Sequence, residues 1–160
     1  MVVEFTDAAR RPPMSASIDF PKPSRTRIPV PVPLPQPPAA AVELLEHARE
    51  GIAEAERADQ AADRFAVAYL AALRAGAAVL ALRGRPHRGR AKPTSVWVLL
   101  AGIAPELAEW AAFFASASST RAAVQAGITR VVTARSADDL VRQAAQFTAL
   151  VDRIMHEART

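Results

Sequence analysis

Phe65-Ala-Val-Ala-Tyr-Leu-Ala-Ala-Leu-Arg-Ala-Gly-Ala-Ala-Val-Leu-Ala-Leu82 is the stretch of this 160-residue chain that decides its fold. Alanine has the highest helix propensity, and the larger side chains recur at helical spacing. They form two apolar seams, one along Phe65, Tyr69, Ala72, Gly76 and Val79 and the other along Ala66, Leu70, Leu73, Ala77 and Leu80. A helix that is apolar nearly all round must be covered on several sides. We therefore predict the central helix of an all-α bundle, or a helix in a subunit interface.

Arg74 and Gly76, near the middle of this helix, indicate how it is covered. A central arginine costs about 2.5–3.5 kcal/mol on membrane-insertion scales, and alanine contributes little to offset that cost. A glycine inside a helix costs about 1 kcal/mol relative to alanine, which is reasonable where another helix crosses closely. The sequence therefore favours a buried helix without membrane contact, with close helix packing at Gly76.

A first helix is predicted to precede this one, from Ala39 to about Ala58. Its apolar side chains share one face, and glutamates occupy another. Carboxylates at helical spacing on a polar face are usually solvated, so we prefer that interpretation to an acid or metal cluster. Asp59 is the predicted N-cap of the second helix. The glutamates concerned are Glu43, Glu46, Glu50 and Glu54.

Two further helices are predicted after a basic connector. Thr94 or Ser95 would cap a short helix that runs to Ala104, and Pro105 would begin the next one. The side chains predicted to share one face of that fourth helix are Leu107, Trp110, Ala111 and Phe114. We assign this face to the core. The alternative is that Trp110 or Phe113 stacks on a nucleobase.

The C-terminal third is predicted to hold one last helix. A polar patch at Ser116, Ser118, Ser119 and Thr120 suggests a kink or helix end, and Gly127 is a natural helix stop. Residues 128–132 are predicted to be short and extended. The last helix would begin at Thr133 or Ser136, with Ser136 and Asp139 as a variant capping box. Its predicted apolar stripe is Leu140, Ala144, Phe147, Val151, Ile154 and Ala158.

Residues 1–38 differ sharply in composition from residues 39–160, because they hold ten of the 13 prolines. The run Pro29-Val-Pro-Val-Pro-Leu-Pro-Gln-Pro-Pro38 excludes helix and paired strand and favours extended polyproline II. We predict a proline-rich, flexible or extended tail at 1–38 and a helical domain at 39–160. The tail is either a spacer or a docking ligand that the bundle presents. Met14 is an alternative start of the chain.

Composition and motifs exclude several chemistries. The chain has no cysteine, so it has neither disulfides nor thiolate ligands, and we expect a cytoplasmic protein because the N-terminus resembles no export signal. His47, His87 and His156 are not part of a recognisable metal-ligand motif, and no phosphate-binding loop or nucleophile elbow occurs. We therefore expect no catalytic, cofactor-binding or metal-binding residues.

The net charge of +4 is concentrated in the connector, Arg83-Gly-Arg-Pro-His-Arg-Gly-Arg-Ala-Lys92, which contains no acid. Such a loop can follow a phosphate backbone through salt-sensitive contacts that do not read sequence. Solvated arginine-rich connectors are also common. The candidate contacts to nucleic acid or another anion are Arg83, Arg85, His87, Arg88, Arg90 and Lys92.

The order of these segments resembles a known family. The alanine-rich helix, the basic connector, Ser95-Val-Trp-Val-Leu-Leu100 and Ala104-Pro-Glu-Leu-Ala-Glu-Trp-Ala-Ala-Phe-Phe114 are followed by Val132-Thr-Ala-Arg135 and Ala137-Asp-Asp-Leu140. This pattern is similar to an alanine-rich actinobacterial branch of the HEPN domains. The resemblance implies an up-and-down antiparallel bundle of four to five helices, often dimeric, in a superfamily whose active members are metal-independent ribonucleases.

The catalytic motif that the resemblance implies is not found in this chain. Active HEPN domains use an arginine, four to six residues, and then a histidine. No arginine lies five to seven positions before His47, His87 or His156, and Arg83 is four positions before His87. We therefore expect a non-catalytic helical module for binding or assembly, forming a homodimer or binding a protein partner. The alternative is a nucleic-acid-binding protein, or less favourably a residual ribonuclease, that uses residues 83–92.

Overall fold

The structure is a computed structural model that describes residues 36–84 and 94–160. Five α-helices and two short 3₁₀ turns, at Pro105–Leu107 and Thr129–Val131, account for most of this part, and it contains no strand. The predicted all-α class and the number of helices are confirmed. The predicted proline-rich tail, apart from residues 36–38, lies outside the described residues. The helices are α1 (Ala39–Arg57), α2 (Ala61–Arg83), α3 (Val96–Ile103), α4 (Ala108–Gln125) and α5 (Ala134–Glu157).

The four long helices alternate in direction. Gly51 of α1 faces Ala71 of α2, and Arg74, further along α2, donates to the carbonyl of His47, earlier in α1, so these two helices are antiparallel. At one end of the bundle Arg83 of α2 contacts Glu106, just before α4, whereas Arg121 near the end of α4 lies over Tyr69 of α2. These contacts make α4 antiparallel to α2. Arg64 near the start of α2 is ion-paired with Asp138 near the start of α5. Helix α5 therefore runs parallel to α2. The predicted up-and-down bundle is therefore confirmed.

Helix α2 is the centre of the bundle, as predicted, since α1, α3, α4 and α5 all pack against it. Every member of its first apolar seam, from Phe65 to Val79, is buried. The second seam is only half-buried except at Leu80. Helix α2 is long and apolar enough to cross a membrane, but 56 % of its most apolar window is buried inside the bundle. Packing between helices therefore accounts for its apolar composition.

An aromatic cluster joins α2, α3, α4 and α5 around Trp97. The indole Nε1–H donates to the Tyr69 hydroxyl at 2.8 Å, and the Trp97 ring stacks on Phe114 with a centroid distance of 5.1 Å. Phe147 of α5 closes the cluster, 5.4 Å from Phe114. All four side chains are less than 7 % exposed. The core assignment of Phe114 and Phe147 is thus correct, and a hydrogen bond satisfies the polar atom of the buried indole.

Close backbone approach at two glycines explains how small side chains fill this core. A Cβ added at Gly76 would lie 3.2 Å from the Trp97 ring and 3.3 Å from Val96 Cγ1. A Cβ added at Gly51 would lie 3.0 Å from Ala71 Cβ. The predicted helix crossing at Gly76 is therefore present, and it is made by α3.

Helix starts were predicted less accurately than the helices themselves. Ser95 caps α3 as predicted, with its side chain accepting from the Trp97 amide at 3.2 Å. The N-cap of α2 is Gln60 and not Asp59. The side chain of Arg64 occupies this turn instead, donating to the Ala58 and Asp59 carbonyls at 3.2 and 2.9 Å.

Three predictions about the chain after Phe114 are wrong. Helix α4 continues through the polar patch to Gln125, so the patch is not a helix end; Ser116 and Ser118 donate to carbonyl groups three residues earlier in the same helix. Residues Thr129–Val131 form a 3₁₀ turn and are not extended. The capping box of α5 pairs Thr133 with Ser136, whereas Asp139 bonds to Arg142. Gly127 does end the preceding helical segment, with φ of +86°.

Candidate interaction surfaces

Arg83 is the only member of the predicted anion-contact set that the structure describes. It ends α2, and its Nη1 lies 2.5 Å from Glu106 Oε1, with side-chain exposures of 33 % and 52 %. The first cation of the connector is therefore already paired with a carboxylate. The other candidates lie outside the described residues, and no observed contact bears on them: Arg85, His87, Arg88, Arg90 and Lys92.

The arrangement around Glu106 lowers the pKa of its carboxyl group. Its own backbone N–H bonds to the carboxylate and lowers the pKa from the ordinary value of 4.5, and the hydrogen bond from Arg83 adds to that effect. The carboxylate is solvent-exposed and links the Pro105–Leu107 turn to the end of α2. We interpret it as a positioning contact.

The histidines and glutamates of the described helices do not converge on one site. His47 lies exposed on α1, and His156 lies exposed in the last turn of α5. The four glutamates on the polar face of α1 are exposed, as predicted. In residues 36–84 and 94–160, no three His, Asp or Glu side chains are grouped closely enough to hold a metal ion.

Helix α4 carries an exposed row of small side chains, which we call the outer seam. Ala111 and Phe114 are the only buried residues of this 18-residue helix. No charged residue occurs between Glu109 and Arg121. The outer seam consists of four exposed residues spaced three, four and three apart: Ala112, Ala115, Ser119 and Ala122.

Larger exposed apolar side chains also occur on α4 and around it. Phe113 is 41 % exposed and lies edge-on to Phe114, whereas Trp110 is half-buried and stacks on the same ring. Ile128 and Val131, just after α4, are 46 % and 47 % exposed. The contacts of Trp110 favour its core assignment, whereas Phe113 projects outward.

Arg121 is the one charged residue in the second half of α4. Its guanidinium carbon lies 5.2 Å from the centre of the Tyr69 ring, in a cation–π contact. Its Nε is buried without a hydrogen-bond partner in the described part of the chain. This side chain fastens α4 to α2 on the side of α4 that faces the bundle.

An open groove of about 810 Å³, which we call the end groove, lies at the end of the bundle where α1 begins and α5 ends. Its wall is mostly apolar, with the Arg83–Glu106 pair and Glu157 among its polar members. Leu107 is buried, and the remaining leucine and isoleucine side chains are half-buried. These are Leu82, Leu150 and Ile154.

The sequence interpretation missed both surfaces. The interpretation of Ser116–Thr120 as a kink or helix end divided the outer seam into two parts, although the 3-4-3 spacing of the seam is visible in the sequence and is typical of a helix-pairing face. The end groove brings together residues from positions 36 to 158, which no local pattern could have linked.

A family-level comparison agrees with this architecture. The model of the SAV_6107-like HEPN family matches residues 55–152, which is more than half of the chain and extends from the end of α1 to near the end of α5. No curated protein and no solved structure matches the chain.

Proposed function

Because the chain belongs to the SAV_6107-like HEPN family, we propose that it is a non-catalytic HEPN module of the cytoplasm that self-associates through the outer seam of α4. The observation that carries the proposal is the exposure of this uncharged row of small side chains on a well-formed helix. Residues with small side chains let two helix backbones approach closely, and their 3-4-3 spacing is that of the contact positions in paired helices.

A second copy of α4 fits the outer seam better than a charged partner does. In an antiparallel pair centred on residue 117, Ala112 of one copy faces Ala122 of the other, and Ala115 faces Ser119. The same register places Glu109 level with Gln125, so like charges do not meet. Such a pairing is self-complementary about a two-fold axis, which is the commonest symmetry of homo-oligomers.

The non-catalytic part of the proposal is supported by the start of α5. This is where the HEPN ribonuclease motif would lie, and the chain carries Arg135 and Arg142 there, followed by no histidine before His156. Arg142 is bonded to Asp139 at 2.5 Å, and Arg135 lies 4.0 Å from the same carboxylate. No histidine follows either arginine at the spacing of the ribonuclease motif, and this supports the non-catalytic interpretation.

Sedimentation equilibrium of the full chain tests self-association. We expect the parent to be a dimer and Ser119→Glu to raise the dissociation constant by more than about 100-fold, because two carboxylates would lose water in the interface. Ala149→Glu, the same kind of change at an exposed position of α5, is the matched control and should leave the dimer intact. A monomeric parent, or equal effects of both variants, would rule out the outer seam.

A second candidate function is binding of RNA or DNA by the connector, which the absence of any acid between Arg83 and Lys92 favours. Replacing Arg85, Arg88, Arg90 and Lys92 by alanine should then abolish binding that weakens as salt is raised. No binding by the parent at low salt would eliminate this function. RNA cleavage by the parent that is lost in His87→Ala would instead identify a residual ribonuclease.

A further inference from the structure

A cavity smaller than the end groove lies between α1 and α5. Its volume is about 240 Å³, and it is open to solvent. Pockets that hold drug-sized ligands measure about 300–1,000 Å³, so this cavity has room for a smaller molecule. Its lining residues, two from α1 and four from α5, are Arg49, Ile52, Ala145, Thr148, Ala149 and Asp152.

Thr148 is the one buried residue of this lining, and its hydroxyl is left without a bond. The residue is 4 % exposed, and its Oγ1 has no hydrogen-bond partner in the described part of the chain. A hydroxyl inside a helix commonly donates to a carbonyl of the preceding turn, as Ser116 and Ser118 do in α4. A buried hydroxyl without a partner destabilises the folded chain, so the Thr148 hydroxyl indicates a group that binds from outside.

This hydroxyl can turn toward the cavity without any movement of α5. Threonine populates more than one χ1 rotamer within a helix, and no bond holds the Thr148 side chain in its present rotamer. Because Thr148 already lines the cavity, a ligand that offers an acceptor there would select the rotamer that points to it.

The exposed part of the cavity wall carries one charge of each sign. Arg49 Nη2 donates to Asp152 Oδ1, and both side chains are half exposed. A guanidinium has several further N–H donors, and a carboxylate has further acceptor sites, so both groups retain bonding capacity in this pair. A simple anion would be repelled by Asp152 and a simple cation by Arg49. A molecule with separate positive and negative groups is complementary to both.

We propose that this cavity binds a free α-amino acid with a small aliphatic side chain. The ligand carboxylate accepts from Arg49 and from the Thr148 hydroxyl, and the ligand ammonium donates to Asp152. Its side chain packs against the apolar remainder of the wall, Ile52, Ala145 and Ala149. An exposed ion pair contributes little to stability, so rearranging the Arg49–Asp152 pair around a ligand costs little.

Isothermal titration calorimetry of the full chain with L-leucine, L-valine and L-isoleucine tests the ligand class. We expect at least one of them to bind with a dissociation constant of about 1 mM or lower. L-Leucinamide lacks the carboxylate and N-acetyl-L-leucine lacks the ammonium, so each should bind at least about tenfold more weakly than L-leucine. Binding of none of the three amino acids, or equal binding of L-leucine and both analogues, would overturn the proposal.

Substitutions at Thr148 test the role of the hydroxyl. Thr148→Val keeps the shape and should weaken binding about tenfold, whereas Thr148→Ser and the control Glu50→Gln, an exposed change outside the cavity, should bind as the parent does. Unchanged affinity in Thr148→Val, or an equal loss in Thr148→Ser, would contradict this role.

The melting temperature without ligand gives an independent measurement. Thr148→Val should raise it by about 2–4 °C, because the parent hydroxyl is buried without a bond to lose. A lower melting temperature would show that the hydroxyl has a structural partner, such as a bound water, and would contradict the proposal. Because no residue of α4 lines the cavity, these outcomes are separate from those for the outer seam.

Discussion

Helices α2 and α4 are both rich in alanine, yet their alanines have opposite surroundings. In α2, Ala68, Ala71, Ala72, Ala75 and Ala78 are completely buried. In α4, Ala112, Ala115 and Ala122 are exposed. The difference arises because α2 is packed against four helices, whereas the described neighbours of α4 cover only part of its surface.

The comparison teaches that small side chains permit close packing but do not ensure it. In α2 the larger residues at Phe65, Tyr69 and Val79 anchor the helix in the core, and the alanines fill the narrow space between backbones. In α4 the larger residues are concentrated in the first half. The outer seam retains the helix-pairing composition without a described partner, which is why we propose that it mediates self-association.

A glutamate introduced into each of the two helices should give the largest difference in the free energy of unfolding. Ala75→Glu puts a carboxylate at a fully buried position, and its cost of several kcal/mol is comparable with the total stability of a small domain. Ala115→Glu, at an exposed position, should change the free energy of unfolding of the monomer by less than about 0.5 kcal/mol. Far-UV circular dichroism with denaturant titration measures both, at protein concentrations low enough that the parent is monomeric. Similar destabilisation by the two variants would mean that α4 is covered.

Substitution of Trp97, which packs against α2, should give the next largest loss in the free energy of unfolding. Trp97→Ala removes a buried ring and leaves the Tyr69 hydroxyl without its donor, so we expect a loss of about 3–5 kcal/mol in the free energy of unfolding. Trp97→Phe should cost less, because it keeps most of the packing and loses only the hydrogen bond and part of the ring. Urea titration distinguishes the two. Equal losses would assign the effect to the hydrogen bond together with the part of the indole ring that phenylalanine lacks.

Much of the fold followed from the sequence because it depends on periodicity within single helices. The first apolar seam of α2, the glycine crossing and the Ser95 cap are local patterns with one physical interpretation each. The cap of α2 was not predictable, since the Arg64 side chain that donates to the carbonyls of this turn is also ion-paired with Asp138 of α5, which is distant in the sequence. The serines of α4 were misassigned because a hydroxyl that can break a helix can also bond within it.

The candidate surfaces were less accessible to sequence analysis. The basic connector was conspicuous by charge, but its first arginine is paired with Glu106, a residue 23 positions later that no charge pattern connects to it. The outer seam was visible in principle, whereas the end groove depends on where four helices terminate. Local composition identifies a charged segment directly, whereas a groove formed by distant segments cannot be identified from any one of them.

Two glycine substitutions should sharpen the contrast between packed and open helix surfaces, with opposite signs. Gly102→Ala, on α3 with open space around its Cβ direction, should stabilise the chain by about 0.5–1 kcal/mol through helix propensity. Gly51→Ala should be destabilising despite the same propensity gain, because its Cβ would meet Ala71 Cβ at 3.0 Å. Differential scanning calorimetry measures both changes. Stabilisation at Gly51 would show that α1 can move away from α2 at little cost.

The smallest expected effect on stability is that of the Arg83–Glu106 ion pair, which links the end of α2 to the turn before α4. Because the pKa of Glu106 lies below 4.5 in the folded chain, its carboxylate stabilises the fold above about pH 4.5, and this contribution is lost as the pH falls through the lowered pKa. Glu106→Gln should therefore lower the melting temperature slightly at pH 7 and leave it nearly unchanged at pH 3. Glu109→Gln, an exposed neighbour on α4, is the control. A deficit of the same size at both pH values would assign the effect of Glu106 to packing and not to its charge.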